Sequence, residues 1–178
     1  MPNKNKIIAI SGSTRAQSMN AKYINAVRDL SADYFDVSVY ERLTDLPHFN
    51  PDLHNDDVSS SVTHLRNTLK AADGILICTP EYAFGIPGAL KNLIDWTVSS
   101  ADFYNKPVAL ITASTSGEKA HASFLETLKI IGSKMTDDTQ VLISSAKTKI
   151  NAEQKIVDNG VRDKLMRLIV SFAFLMDI

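Results

Sequence analysis

Five short runs of apolar residues divide the chain, and most of the intervals between them carry apolar residues at helical spacing. The first run, Ile7-Ile8-Ala9-Ile10, is continuous, as expected of a strand buried on both faces. Gly74 to Cys78 and Val108 to Ile111 repeat that signature, and Gln140 to Ile143 predicts a fifth strand. Asp36 to Tyr40 alternates instead, which predicts a strand nearer a sheet edge. Tyr23, Ile24, Val27 and Leu30 mark one helical stripe; Val58, Val62, Leu65, Leu69 and Ala72 mark a second. A third helix is expected to open with Pro87, whose missing N–H is not needed in a first turn. It turns Leu90, Leu93, Ile94 and Thr97 inward and leaves Asp95, Trp96 and Val98 on other faces. Phe124, Leu125, Leu128 and Ile131 form the fourth stripe. The last helix is expected to begin near Asn151, to break at Asn159-Gly160, and to continue through Val161, Leu165, Leu168, Ile169 and Phe172.

Apolar strands alternating with amphipathic helices predict an α/β three-layer sandwich, with a five-stranded parallel sheet covered on both faces. Five such units suit the flavodoxin-like strand order 2-1-3-4-5, which gathers ligands at the carboxyl ends of the strands. The loops after strands one, three and four would meet there, and all three are polar and contain glycine. Residues 41–56 form a long connection with Pro47, Pro51 and the turn formers Asn50, Asp52, Asn55 and Asp56.

Composition narrows the function classes. The 178 residues suit one domain spanning 1–178, with no repeat or linker. A formal net charge of −1 gives no basic excess for a nucleic acid and no acidic tail. The single cysteine, Cys78, excludes an internal disulfide and fits a reducing compartment. Met1 to Lys6 form a polar leader unlike a signal peptide, and Leu165 to Met176 is too short and too interrupted by Arg167 to span a bilayer. The expectation is a cytoplasmic protein without a membrane partner. His48, His54, His64 and His121 lack metal-ligand spacing, and no nucleophile elbow or carboxylate pair points to a hydrolase.

The chemistry concentrates where the first strand ends. Ser11, Gly12, Ser13 and Thr14 are small and donor-rich, Arg15 adds a fixed charge, and Ser18 can cap the following helix. A strand, a polar turn and a helix N-terminus make an anion site, since free N–H groups and the positive dipole end converge. Neither the triphosphate loop nor the G-x-G-x-x-G fingerprint is present; the hydroxyls of Ser11, Ser13, Thr14 and Ser18, with Arg15 for a forked contact, suit a terminal monophosphate, and an ordinary turn with surface serines is the alternative.

Gly12-Ser13-Thr14-Arg15-Ala16-Gln17-Ser18-Met19-Asn20 is similar to the G-S-x-R-x-x-S-x-N phosphate loop of the NAD(P)H-dependent FMN reductase family. Thr79-Pro80-Glu81-Tyr82, with Pro87-Gly88-Ala89-Leu90-Lys91-Asn92-Leu93-Ile94-Asp95-Trp96, resembles that family's P-E-Y-N…P-G-x-L-K-N-x-I-D-W segment, and Leu46 to Leu53 resembles the loop after its second strand. The resemblance spans roughly residues 6–145. It implies that Ser13, Arg15, Ser18, Met19 and Asn20 hold the FMN phosphate. Pro80, Glu81, Tyr82, Ala83, Phe84 and Gly85 would lie along the flavin ring, and Ser114, Thr115, Ser116 and Gly117 would close its other side. Two departures stand out: Ala83 replaces the family's usual Asn, and Glu118-Lys119-Ala120-His121 follows Gly117 where a glycine pair is common.

The resemblance implies a reductase that passes electrons from NADPH or NADH through bound FMN to a small-molecule acceptor: a quinone, azo compound, metal oxyanion or free flavin. The alternative is an FMN-containing electron carrier without NAD(P)H turnover. No side chain is given a catalytic role, because the cofactor carries the chemistry; Glu81 is expected to fix its loop. Tyr82 and Phe84 either flank the ring or anchor the loop, and Cys78 is expected to be an inert buried thiol. Trp96 and Val98, together with the resemblance, predict a homodimer or homotetramer built on the helix from Pro87, with the partner's 41–56 loop roofing each site; the alternative is that Trp96 packs under a neighbouring loop of its own chain.

Overall fold

Consecutive residues of the central strands enter two different cores. Ile7 and Ala9 pack with Leu76, Cys78, Ala109 and Ile111 on one face of the sheet. Ile8 and Ile10 pack with Ile75, Ile77, Val108 and Leu110 on the other. A strand with a core on each side can place a polar residue on neither, and that accounts for the continuous apolar runs.

The computed structural model describes residues 4–53 and 58–176; Met1 to Asn3 of the leader, and His54, Asn55 and Asp56 of the long connection, lie outside the described residues. The elements are β1 (Asn5–Ser11), α1 (Met19–Leu30), β2 (Phe35–Val39), α2 (Ser60–Ala71), β3 (Gly74–Thr79), α3 (Gly88–Val98), β4 (Val108–Ala113), α4 (Glu118–Ile130), β5 (Gln140–Ile143) and α5 (Asn159–Phe174). The strands form one sheet of order β2-β1-β3-β4-β5 with every pairing parallel. α1 and α5 supply the first core with Tyr23, Ile24, Val27, Leu165, Ile169 and Phe172. α2, α3 and α4 supply the second with Val62, Leu65, Leu93, Trp96, Phe124 and Leu128. None of the helices described is long and apolar enough to cross a membrane.

Three expectations shift. Asn159-Gly160 begins the last helix and does not interrupt it: the Asp158 carboxylate accepts from the Val161 amide at 2.8 Å, and this cap lets a poor helix-forming pair occupy the first turn. Residues 151–157 precede it as a turn, with an isolated bridge from Ile150 to Ile156. Pro87 stands one position before α3, as its extended N-cap residue. Trp96 is not on an outer face at all. It is fully buried, because the 47–49 segment of the long connection folds back over it.

Parallel pairing sends every strand's carboxyl end the same way, so the loops after β1, β3, β4 and β5 share one rim. The opposite end holds both ends of the described chain. There Asn5 pairs with Phe35, the Phe172 ring meets Phe35 edge-on at 5.5 Å, and a Cβ on Gly74 would meet Phe172 and Met176.

Candidate functional site

At the end of β1 the backbone turns so tightly that no side chain fits at residue 12. A Cβ there would stand 2.5 Å from Thr79 Oγ1, while the Gly12 amide donates to the Cys78 carbonyl at 2.8 Å. This close approach launches the 13–18 loop over the rim. Ser18 caps α1, its Oγ accepting from the Asn20 amide at 3.1 Å. The amides of Ser13, Thr14, Ala16, Gln17 and Ser18 have no protein partner among the described residues. Unpaired donors at a helix N-terminus, beside the exposed guanidinium of Arg15, are a ready anion site.

Asn20 is buried, and its Oδ1 accepts from the Cys78 thiol at 3.3 Å. Burial drives that thiol's pKa well above its ordinary value, so it stays protonated and inert.

The loop after β3 is a two-residue hairpin turn. Tyr82 and Gly85 exchange both backbone hydrogen bonds, at 2.9 and 3.0 Å, and Ala83 and Phe84 between them take φ of 48° and 63°. Two central residues at positive φ are the type I′ arrangement, which favours Asn-Gly. The absent family asparagine is thus first a matter of backbone preference. Glu81 ties this loop to its neighbours: its amide donates to Ser114 Oγ at 3.2 Å, and its carboxylate accepts from the Ala120 amide of α4 at 2.9 Å.

The loop after β4 ends at Gly117, which caps α4 at φ 95°; a Cβ there would press to 2.9 Å from Leu142. Its other wall comes from β5. Ser145 and Ala146 amides donate to the Thr115 and Ser114 carbonyls at 2.9 and 3.0 Å, and Tyr23 Oη reaches through the core to the Ala146 carbonyl at 2.9 Å.

These loops enclose a cleft of about 730 Å³. It is lined by Ser13, Arg15, Ser18, Met19 and Asn20 from the first loop, Pro80, Glu81 and Tyr82 from the second, and Ser114 and Thr115 from the third. Ala83, Phe84, Gly85, Ser116 and Gly117 do not line it: Ala83 to Gly85 form the hairpin tip, Phe84 is 76% exposed, and Gly117 is buried under α4. Gln17, Lys22, and Ser145 to Thr148 line it too and were not anticipated. The strand order itself contained the signal for the last group, since β5 lies beside β4 and must send its loop to the same rim. Arg15, Lys22 and Lys147 make the cleft cationic, and its one lining carboxylate, Glu81, is already engaged.

The sequence profile of the NADPH-dependent FMN reductases matches residues 5–148. The chain is 28% identical to an NAD(P)H-dependent FMN reductase of Pseudomonas aeruginosa, over 91% of this chain and 90% of that one. It is 24% identical to a quinone reductase of Escherichia coli, over 97% and 95%. Among solved structures, the flavoenzyme FerB of Paracoccus denitrificans, an NAD(P)H:(acceptor) oxidoreductase, superposes with a TM-score of 0.79 at 25% identity, covering 97% of each chain.

Proposed function

The chain belongs to the NADPH-dependent FMN reductase family, and from that premise we propose that the 730 Å³ cleft is its FMN site. The observation that carries this assignment is the set of unpaired amides between Ser13 and Ser18, beside Arg15 and at the N-terminus of α1. That donor set fits a terminal phosphate, which presents three acceptor oxygens and at least one negative charge.

Each residue then has a defined task. The Arg15 guanidinium and the amides of Ser13, Thr14, Ala16, Gln17 and Ser18 bind the phosphate, with Ser13, Ser18, Met19 and Asn20 shaping its pocket. Lys22 and Lys147 add positive potential at the rim. Pro80 to Tyr82 and Ser114-Thr115 orient the ring from two sides, and Glu81 locks those two loops together. Tyr82, 48% exposed, stands at the mouth of the cleft, while Phe84, 76% exposed, sits on the hairpin tip outside it. When bound, FMN supplies the hydride acceptor for the nicotinamide and the electron donor for the second substrate.

The chain is an NAD(P)H-dependent FMN oxidoreductase. Its acceptor is a small oxidised molecule, and the quinone of the Escherichia coli relative's name heads the candidates. Anaerobic addition of NADPH or NADH to the FMN-loaded protein should bleach the yellow absorbance, and a panel of quinones, azo compounds, metal oxyanions and free flavin should restore it. Failure to bleach with either nucleotide would establish the electron-carrier alternative.

We also infer one cytoplasmic domain that pairs with a second copy of itself. The support for pairing is the apolar surface left on and beside α3, where Val98 is 55% and Phe49 39% exposed. Sedimentation equilibrium showing a monomer at micromolar concentration would sink it.

A further inference from the structure

The contact between Glu81 and Ala120 depends on where the first turn of α4 sits, and one side chain fixes that position. His121 directly follows Ala120. Its Nδ1 lies 2.8 Å from Thr112 Oγ1 on β4, and its Nε2 lies 2.6 Å from Gln140 Oε1 on β5. Its own amide donates to the Gly117 carbonyl at 2.9 Å. With Gln140 presenting an oxygen, Nε2 carries the hydrogen and Nδ1 accepts from the Thr112 hydroxyl. One imidazole therefore rivets α4 to two strands, one residue from the amide that holds the Glu81 carboxylate.

Resting on the assignment of the cleft to FMN, we propose that His121 is a positioning residue for the flavin, acting through α4 and Glu81, and that it makes flavin retention sensitive to pH. This chain carries Glu118-Lys119-Ala120-His121 where a glycine pair would leave the turn without such an anchor. The neutral ring suits both partners best: protonation leaves the Nε2–H bond to Gln140 in place but disturbs the bond to Thr112. Protonation makes Nδ1 a donor, and the fully buried Thr112 hydroxyl would have to turn its hydrogen away.

The charges facing His121 come from three elements. Asp137 and Asp138 stand on the turn before β5, Lys149 on the loop after it, and Lys164 and Arg167 on α5. Lys149 also lies 3.9 Å from Asp158. Burial dominates over them: it lowers the imidazole pKa from its ordinary 6.5, and the Gln140 hydrogen bond opposes it. The neutral form is then the one the fold prefers. The rivet is therefore intact at and above pH 6.5, and the ring takes up its proton only as pH falls through the lowered value it has in the folded protein.

The test is FMN affinity, followed by flavin fluorescence from pH 8 to 5, in wild type, His121→Asn, His121→Gln, Glu81→Ala and each His121 variant combined with Glu81→Ala. Asparagine keeps an acceptor for Thr112, glutamine keeps a donor for Gln140, and neither titrates. Each should bind FMN about three- to tenfold more weakly at pH 8, the effect of one hydrogen bond. Each should also show a shallower acid limb than wild type. What limb persists is the ligand's own, since a phosphomonoester titrates near pH 6. In the Glu81→Ala background the His121 substitutions should change affinity little, because the link they act through is gone. Circular dichroism at pH 8 is expected to show all three single variants folded. Acid limbs that superimpose on the wild type, or penalties that multiply independently in the double variants, would overturn the inference alone. A wild type that binds no FMN at pH 8 would take the flavin assignment down with it.

Discussion

Trp96 donates its indole N–H to the carbonyl of Pro47 across 2.8 Å, while the Phe49 ring meets the indole edge-on at 5.1 Å. Asn92 completes the clasp, giving a second donor to the same carbonyl at 2.9 Å and accepting from the Phe49 amide at 2.7 Å. The Asn and Trp of the L-K-N-x-I-D-W segment thus hold a loop of their own chain. Trp96→Asp should cost about 3–5 kcal/mol or more, since it removes a fully buried ring and buries a charge. Urea melts should show this as a collapse in stability; a well-folded monomer of near wild-type stability would contradict it.

Arg15 should dominate phosphate affinity. Replacing it with alanine removes a charged hydrogen-bond donor from the cleft, and FMN binding should weaken by about 1.5–3 kcal/mol. Calorimetric titration of FMN into the stripped protein measures this directly. Unchanged affinity would remove the phosphate from the 13–18 loop. Mass spectrometry of the native cofactor should give FMN, not FAD.

The hairpin at Ala83-Phe84 should be improvable. A non-glycine residue at positive φ costs on the order of 1 kcal/mol, and asparagine tolerates that region best. Ala83→Asn should therefore raise the melting temperature of the flavin-free protein by about 2–4 °C. A fall would mean that the asparagine side chain meets an obstacle at the rim.

Asp102 sits beneath the sheet's opposite end, buried, with Oδ1 unpartnered and Oδ2 taking the Ser100 hydroxyl. Burial raises its pKa above 3.8, against the opposing influence of that hydroxyl and of Lys70, Arg66 and Lys106. The folded state therefore holds this proton more tightly than the unfolded chain. The corresponding stability is full below about pH 4 and is lost as pH rises through the raised value. Asp102→Asn should flatten that decline and stabilise the protein at pH 8. Denaturant titrations at pH 5 and 8 decide it, and a less stable variant at pH 8 would refute it.

The continuous apolar runs identified β1, β3 and β4 because two-sided burial leaves no room for polar positions, and the strand order followed from the alternation. The rim loops after β1, β3 and β4 were legible for the same reason. Of the two readings open for Trp96, an oligomer face or cover by a loop of its own chain, the structure shows the second; helical spacing tells which residues face the sheet, not whether a distant loop returns to cover the others. Ser145 to Thr148 were missed because a short edge strand followed by an unremarkable Ser-Ala-Lys-Thr carries no local sign of a ligand. The place of β5 beside β4 sends its loop to the rim, and Tyr23 reaching the Ala146 carbonyl, with the amides beside it meeting the β4 loop, holds that stretch at the cleft. Asp158 as a cap was hidden behind a pair, Asn159-Gly160, whose intrinsic preference argues against a helix.

Both ends of the described chain leave from the side of the sheet remote from the rim. Tethering this protein to an electrode or a bead through a cysteine introduced at Lys4 or Met176 would therefore present the cleft outward, open to dissolved substrates. Anchoring through a cysteine introduced on the loops after β1 or β3 would blind it. A reductase whose attachment points and mouth lie at opposite poles can be oriented by construction, and current measured per immobilised molecule should differ sharply between the two attachments.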